Sequence, residues 1–128
     1  MTLRLYDTKR RKLVDFKPIR QGQVSMYVCG PTVQSGPHIG HLRGALAFDI
    51  LRRWLERTVG PVKFVRNVTD IDDKIISNAP DKQWRALAHK VESEFERTYS
   101  AIGIRTPTVE PHATAFIPEI IKFIERLL

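Results

Sequence analysis

The feature that most limits the fold is a strand, helix, strand pattern between residues 24 and 68. Val24-Ser25-Met26-Tyr27-Val28-Cys29 is rich in residues that favour extended backbone, and it stops at Gly30-Pro31. After a loop from Thr32 to Pro37, apolar residues recur at Leu42, Ala45, Leu46, Ile50, Trp54 and Leu55. That spacing belongs to an amphipathic helix of roughly four turns. Gly60-Pro61 breaks it, and Val62 to Val68 reads as a second strand. A unit of this size is a βαβ crossover, for which parallel pairing and a right-handed connection are expected. The fold class expected is α/β, with a Rossmann-like parallel sheet.

The flanks add smaller elements. Leu3 to Tyr6 and Lys12 to Phe16 alternate in character around a polar turn, which predicts a β-hairpin ahead of the main unit. Asp70 to Ile76 begins another helix. Trp84 to Ile102 reads as a long one, with Leu87, Val91, Phe95 and Tyr99 at mostly four-residue steps. Pro107 and Pro111 mark a loop. Ile117 to Leu128 has the pattern of a final amphipathic helix without a capping signal, as expected of a chain cut inside a helix.

A length of 128 residues suits one domain. With 42% apolar and 27% charged residues, disorder is not expected. No apolar run approaches the ~20 residues that cross a bilayer, and no secretory signal follows Met1. A lone cysteine excludes an internal disulfide. A cytoplasmic protein with no membrane partner is therefore expected. The net charge of +7 favours anionic partners. Much of the excess sits in Lys9, Arg10, Arg11 and Lys12, which a solvated hairpin turn explains, so charge does not establish RNA binding.

Parallel strands bind ligands beyond their carboxyl ends. Three segments of chemical interest fall there: Cys29-Gly30-Pro31-Thr32, Pro37-His38-Ile39-Gly40-His41 and Asn67-Val68-Thr69-Asp70. Gly40 has no side chain, so a flat ring can approach its backbone. His38 and His41 stand near a helix N-terminus, where unpaired amides and the helix dipole favour anions. Imidazoles there can donate to phosphate oxygens and stabilise developing charge. The plainer alternative is that one histidine caps the helix and the other faces solvent. Cys29 is either a small apolar residue closing a buried strand or a thiolate metal ligand. There is no Cys-x-x-Cys pair, and His89 and His112 lack ligand spacing, so a complete zinc site within these residues is not expected. Thr69 and Asp70 read as caps for the next helix, which leaves the Thr69 hydroxyl and the Asn67 amide able to touch a ligand.

Taken together, Tyr27 to Val33, Pro37 to Arg43, Phe48 to Trp54 and Arg66 to Ile75 closely resemble the cysteinyl-tRNA synthetases, class I aminoacyl-tRNA synthetases, in an actinobacterial style. Leu3 to Thr8 and Pro118 to Leu127 are similar too. The resemblance implies a HIGH-type nucleotidylyl transferase that activates L-cysteine with ATP and Mg2+ to cysteinyl-adenylate. Cysteine then passes to the 3′ end of tRNA(Cys). It implies that His38, Gly40 and His41 contact ATP, with His38 and His41 catalytic. Gly30, Thr32, Asn67 and Thr69 would lie in or near the adenylate pocket. Cys29 would be one of four ligands of a Zn2+ that grips the substrate thiol, one ion per subunit, and a hydroxyl would be a poorer ligand there. A monomer is expected.

Against the family pattern, the other zinc ligands, the KMSKS loop and the anticodon-binding domain are missing. The 128 residues are thus expected to be the N-terminal part of the catalytic domain, inactive alone. Between Ile76 and Trp84 the chain is several residues shorter than the pattern. Two alternatives remain open at this level. One is a mycothiol-pathway cysteine:amino-sugar ligase, which shares the zinc cysteine and an HxGH tetrapeptide. The other is a non-catalytic synthetase-like module that binds nucleotide or protein.

Overall fold

The computed structural model describes residues 3–79, 81 and 83–128. Strands β1 (Arg4–Asp7) and β2 (Lys12–Asp15) pair antiparallel as the expected hairpin, with Arg4 opposite Asp15 and Asp7 opposite Lys12. Arg11 adopts a positive φ of 53° in the turn between them. The hairpin continues into β3 (Val24–Val28), helix α1 (Ile39–Thr58) and β4 (Val62–Arg66). β3 and β4 pair parallel from Val24 opposite Val62 to Val28 opposite Arg66, the central expectation from sequence. At 20 residues, α1 is longer than the apolar pattern suggested.

Then come α2 (Asp73–Asn78), α3 (Trp84–Ala101), a 3-10 turn (Ala113–Phe116) and α4 (Ile117–Glu125). The shortened stretch between Ile76 and Trp84 includes positions 80 and 82, which lie outside the described residues. None of the described helices is long and apolar enough to cross a membrane.

One expectation about the helices needs correction. The cap of α2 is Asp72, whose carboxylate accepts from the Lys74 amide at 2.9 Å, and not Thr69 or Asp70. Asp70 instead reaches across the chain and accepts from the backbone amide and the hydroxyl of Thr114. A cap must sit immediately before the first helical turn, and the helix begins later than its charge pattern suggested. The proline-bounded loop is present as expected. It runs beside β4, with parallel bridges from Val65 to Val109 and from Val68 to His112. Prolines supply no amide for a ladder, but the carbonyl oxygens of Val109 and Pro111 accept from Arg66 and Val68 at 3.2 and 2.9 Å.

The core has two parts. Val24, Val62 and Phe64 alternate inward along β3 and β4 and meet Leu55 of α1. Val33, Val68 and Ile75 pack against Ala88, Val91, Phe95 and Tyr99, which recur along one face of α3. Full burial of each large apolar side chain stabilises by ~1.5–3 kcal/mol. An ionic network closes the rear. Asp49 of α1 is 2% exposed and accepts from Arg53 at 2.7 Å. Arg105, from the segment after α3, reaches Glu56 at 2.6 Å. This fixes α3 relative to α1, and α1 presents its N-terminus at the carboxyl edge of the strands.

Candidate functional site

The chain leaves β3 at Val28 and turns sharply at Gly30. A Cβ on Gly30 would fall 1.5 Å from the Asn67 carbonyl oxygen, so the two strand ends approach as closely as backbone allows. Asn67 secures this approach. Its Oδ1 accepts from the Gly30 amide at 2.9 Å and from the Tyr27 hydroxyl at 2.9 Å. Its Nδ2 donates to the Thr69 hydroxyl at 3.2 Å. Beyond, Thr32 and Thr69 face one another in a parallel bridge, with the Thr69 amide on the Pro31 carbonyl at 3.1 Å. The sequence-predicted residues Gly30, Thr32, Asn67 and Thr69 therefore form one stitched edge. Most of the Asn67 carboxamide is spent on that stitching.

The histidine segment lies against this edge. His38 is the N-cap of α1, and its Nδ1 accepts from the Gly40 amide at 3.1 Å. His41 answers as the third helical residue, its Nδ1 accepting from the His38 amide at 3.2 Å. This is a reciprocal capping box built from imidazoles. A Cβ on Gly40 would fall 2.9 Å from His38 Cε1, so the flat ring that Gly40 admits includes His38's own. The two rings stack with centroids 3.8 Å apart, and His41 meets the Phe95 ring at 5.0 Å.

This geometry decides the tautomers. A nitrogen that accepts from an amide carries no proton, so each neutral imidazole holds its proton on Nε2. Both rings are thereby set as donors at the positive end of a 20-residue helix dipole. The first turn of α1 contains no acidic residue to neutralise that end. The pKa of His41 is held below the ordinary imidazole value, first by burial and then by the neighbouring His38. Capping and anion binding, alternatives at the sequence level, are compatible: Nδ1 serves the first and Nε2 is available for the second.

His41, Gly40, Gly30 and Cys29 line one hollow of about 190 Å³. Cys29 is exposed, which corrects the expectation of a buried strand end. Arg66, Tyr99 and Phe48 also line it and were not foreseen as site residues. Strand alternation could have flagged Arg66, since an arginine on the inward face of β4 is a buried charge in need of a reason. Among the described residues no group of three His, Cys, Asp or Glu side chains gathers to hold a metal. Cys29 offers one soft ligand, so a zinc centre is not made by these residues themselves.

Similarity to known proteins extends over most of the chain. Residues 15–128 match the family of tRNA synthetases class I (C), catalytic domain. The chain is 55% identical over 135 aligned residues to the cysteine–tRNA ligase of Leifsonia xyli subsp. xyli, covering 100% of this chain and 28% of that protein. It is 56% identical to that of Clavibacter michiganensis subsp. michiganensis, also covering 100% of this chain and 28% of the relative. For the ligase of Frankia casuarinae the figures are 51% identity, 100% of this chain and 25% of the relative. The chain thus spans 28% of the length of the first two relatives it matches. A reciprocal histidine cap beside a glycine-tight strand edge, within a sequence matched from residue 15 to 128, leads to one conclusion: the chain belongs to the family of class I (C) tRNA synthetase catalytic domains.

Proposed function

We propose that these residues are the N-terminal part of the catalytic domain of a cysteine–tRNA ligase, an enzyme that joins L-cysteine to tRNA(Cys) at the expense of ATP. The observation that carries this reading is the shared hollow, lined by Cys29 and His41, with the His38 ring stacked on His41 at 3.8 Å. The names of the relatives favour a tRNA acceptor over an amino sugar.

In activation, a carboxylate oxygen of cysteine attacks the α-phosphorus of ATP. The bond from that phosphorus to the bridging oxygen breaks, and pyrophosphate leaves. Negative charge builds on the phosphoryl oxygens as it does so. His38 and His41 supply Nε2–H donors to that charge, already oriented by their caps and so without reorganisation during the reaction. The α1 dipole adds positive potential at the same place. In transfer, a hydroxyl of the terminal tRNA ribose attacks the carbonyl carbon and AMP departs.

Mg2+ accompanying ATP would neutralise phosphate charge. Zinc, where further ligands complete its shell, would bind the substrate thiol in preference to a hydroxyl. Cys29 would be one of those ligands. The Gly30–Asn67 bond holds the backbone next to Cys29.

The test is made with the complete open reading frame containing this chain. Purified protein should charge tRNA(Cys) with cysteine, and should neither charge it with serine nor load an amino-sugar acceptor. Amino-sugar loading without tRNA charging would replace this reading, and nucleotide binding without either product would indicate the non-catalytic module.

A further inference from the structure

Arg66 ends β4 and lines the same hollow as His41 and Gly30, yet the chemistry described above makes no use of it. Its side chain is 9% exposed. Nε and Nη2 both donate to Glu110 Oε1, at 3.0 and 2.7 Å. The guanidinium carbon lies 4.6 Å from the centre of the Tyr99 ring. One edge and one face of the planar group are therefore occupied. On the other edge, Nη1 makes no hydrogen bond among the described residues. Among fully enclosed side-chain nitrogens of the described residues, the one without a partner is Arg105 Nε, so Arg66 Nη1 is not sealed in protein, and Arg66 is one of the residues that line the hollow. No carboxylate lines that hollow. A guanidinium keeps its charge at any physiological pH, and its remaining donors seek an acceptor.

We propose that Arg66 is a binding residue of this hollow, its Nη1 donating to an oxyanion of the substrate, while Glu110 and Tyr99 hold the guanidinium in position. The inference rests on the ligase reading and deepens it. The shared chemistry is an oxyanion, and it has two sources: the carboxylate of the amino acid or a phosphate of the nucleotide. A structural role alone, tying the Thr108 to His112 segment to β4, makes different demands. It would weaken folding on substitution without singling out a substrate.

Cysteine-dependent ATP–pyrophosphate exchange in the complete protein separates these roles. Arg66→Met keeps the aliphatic stem and removes the charge. It should raise the KM of the oxyanion-bearing substrate about tenfold to a hundredfold, the range for losing a hydrogen bond to a charged group. A rise for cysteine identifies the carboxylate, and a rise for ATP identifies a phosphate. Glu110→Gln keeps an acceptor for the clamp but frees the guanidinium charge. It should lower the same KM, by roughly twofold to fivefold, the scale of a partly exposed charge pair. If Arg66→Met leaves both KM values within about twofold of wild type, or both variants move KM in the same direction, the proposal is overturned. Wild-type exchange is the control that separates the two readings. Its absence defeats the ligase assignment itself, whereas its presence with unmoved KM values defeats the role of Arg66 alone.

Discussion

The two ends of the β3–β4 pair carry two hollows of opposite character. At the amino end, Phe16, Ile19, Arg20 and Lys63 surround a wide space of about 700 Å³. At the carboxyl end the space is about 190 Å³. The larger one has exposed walls, and Ile19 is 101% exposed. Its cations form no ion pair among the described residues. The smaller one is lined by Gly30, Gly40 and His41, which hydrogen bonds to Asn67 and His38 hold in place. Size favours the larger space as a candidate site. Orientation favours the smaller, because donors fixed before a ligand arrives lose little freedom when it binds.

Substitutions can break this contrast. His41→Asn in the complete protein is expected to slow cysteine-dependent pyrophosphate exchange by about 10²–10³, the cost of losing one preorganised donor to developing charge. His38→Asn should behave alike, with thermal melting nearly unchanged in both. Next in size is Gly30→Ala. The added Cβ meets the Asn67 backbone, which has little room to give. Forced repacking of this kind destabilises by about 1–3 kcal/mol, readable as a lowered urea midpoint.

The pH dependence is subtler and has two opposing parts. For His41 the folded pKa lies below the ordinary value of 6.5. The unfolded chain then binds more protons, so this contribution to stability is complete above 6.5 and is lost as pH falls through the lowered folded value. His112 pairs with Glu92 at 2.6 Å. Burial depresses its pKa, but the Glu92 bond and the charges of Glu92, Asp70 and Glu110 outweigh burial, and the net shift is upward from 6.5. Its contribution is full below 6.5 and is lost as pH rises through the raised value. Unfolding midpoints of wild type, His41→Asn and His112→Gln across pH should show the acid-side loss vanish in the first variant and the alkaline-side loss in the second. Unchanged profiles would contradict both assignments. The smallest effect belongs to the amino-end hollow. Lys63→Ala should change stability by no more than about 0.5 kcal/mol and leave exchange intact.

Local signals made much of this arrangement legible. The apolar runs of β3 and β4 and the Gly-Pro breaks after each of β3 and α1 place the crevice, and the histidine segment falls at its helix. What local patterns could not show is partnership across the chain. Nothing adjacent to Arg66 marks Glu110 or Tyr99 as its partners, each more than thirty positions away. Likewise Asp70 reads locally as a cap, whereas its partner Thr114 is 44 residues distant. The helices α3 and α4 make the same point. Both carry apolar faces, but α3 buries Ala88, Val91, Phe95 and Tyr99, while α4 buries none of its residues. Periodicity reveals which face is apolar and not what covers it.

The most direct test of the central claim sets the two hollows side by side. Cysteine-dependent pyrophosphate exchange is measured for the complete wild-type protein, His41→Asn and Lys63→Ala under one set of conditions. The account predicts exchange in wild type, a loss of about two orders of magnitude or more in His41→Asn, and near wild-type rates in Lys63→Ala. Full activity in His41→Asn together with loss in Lys63→Ala would place the chemistry at the other end of the strands and contradict it.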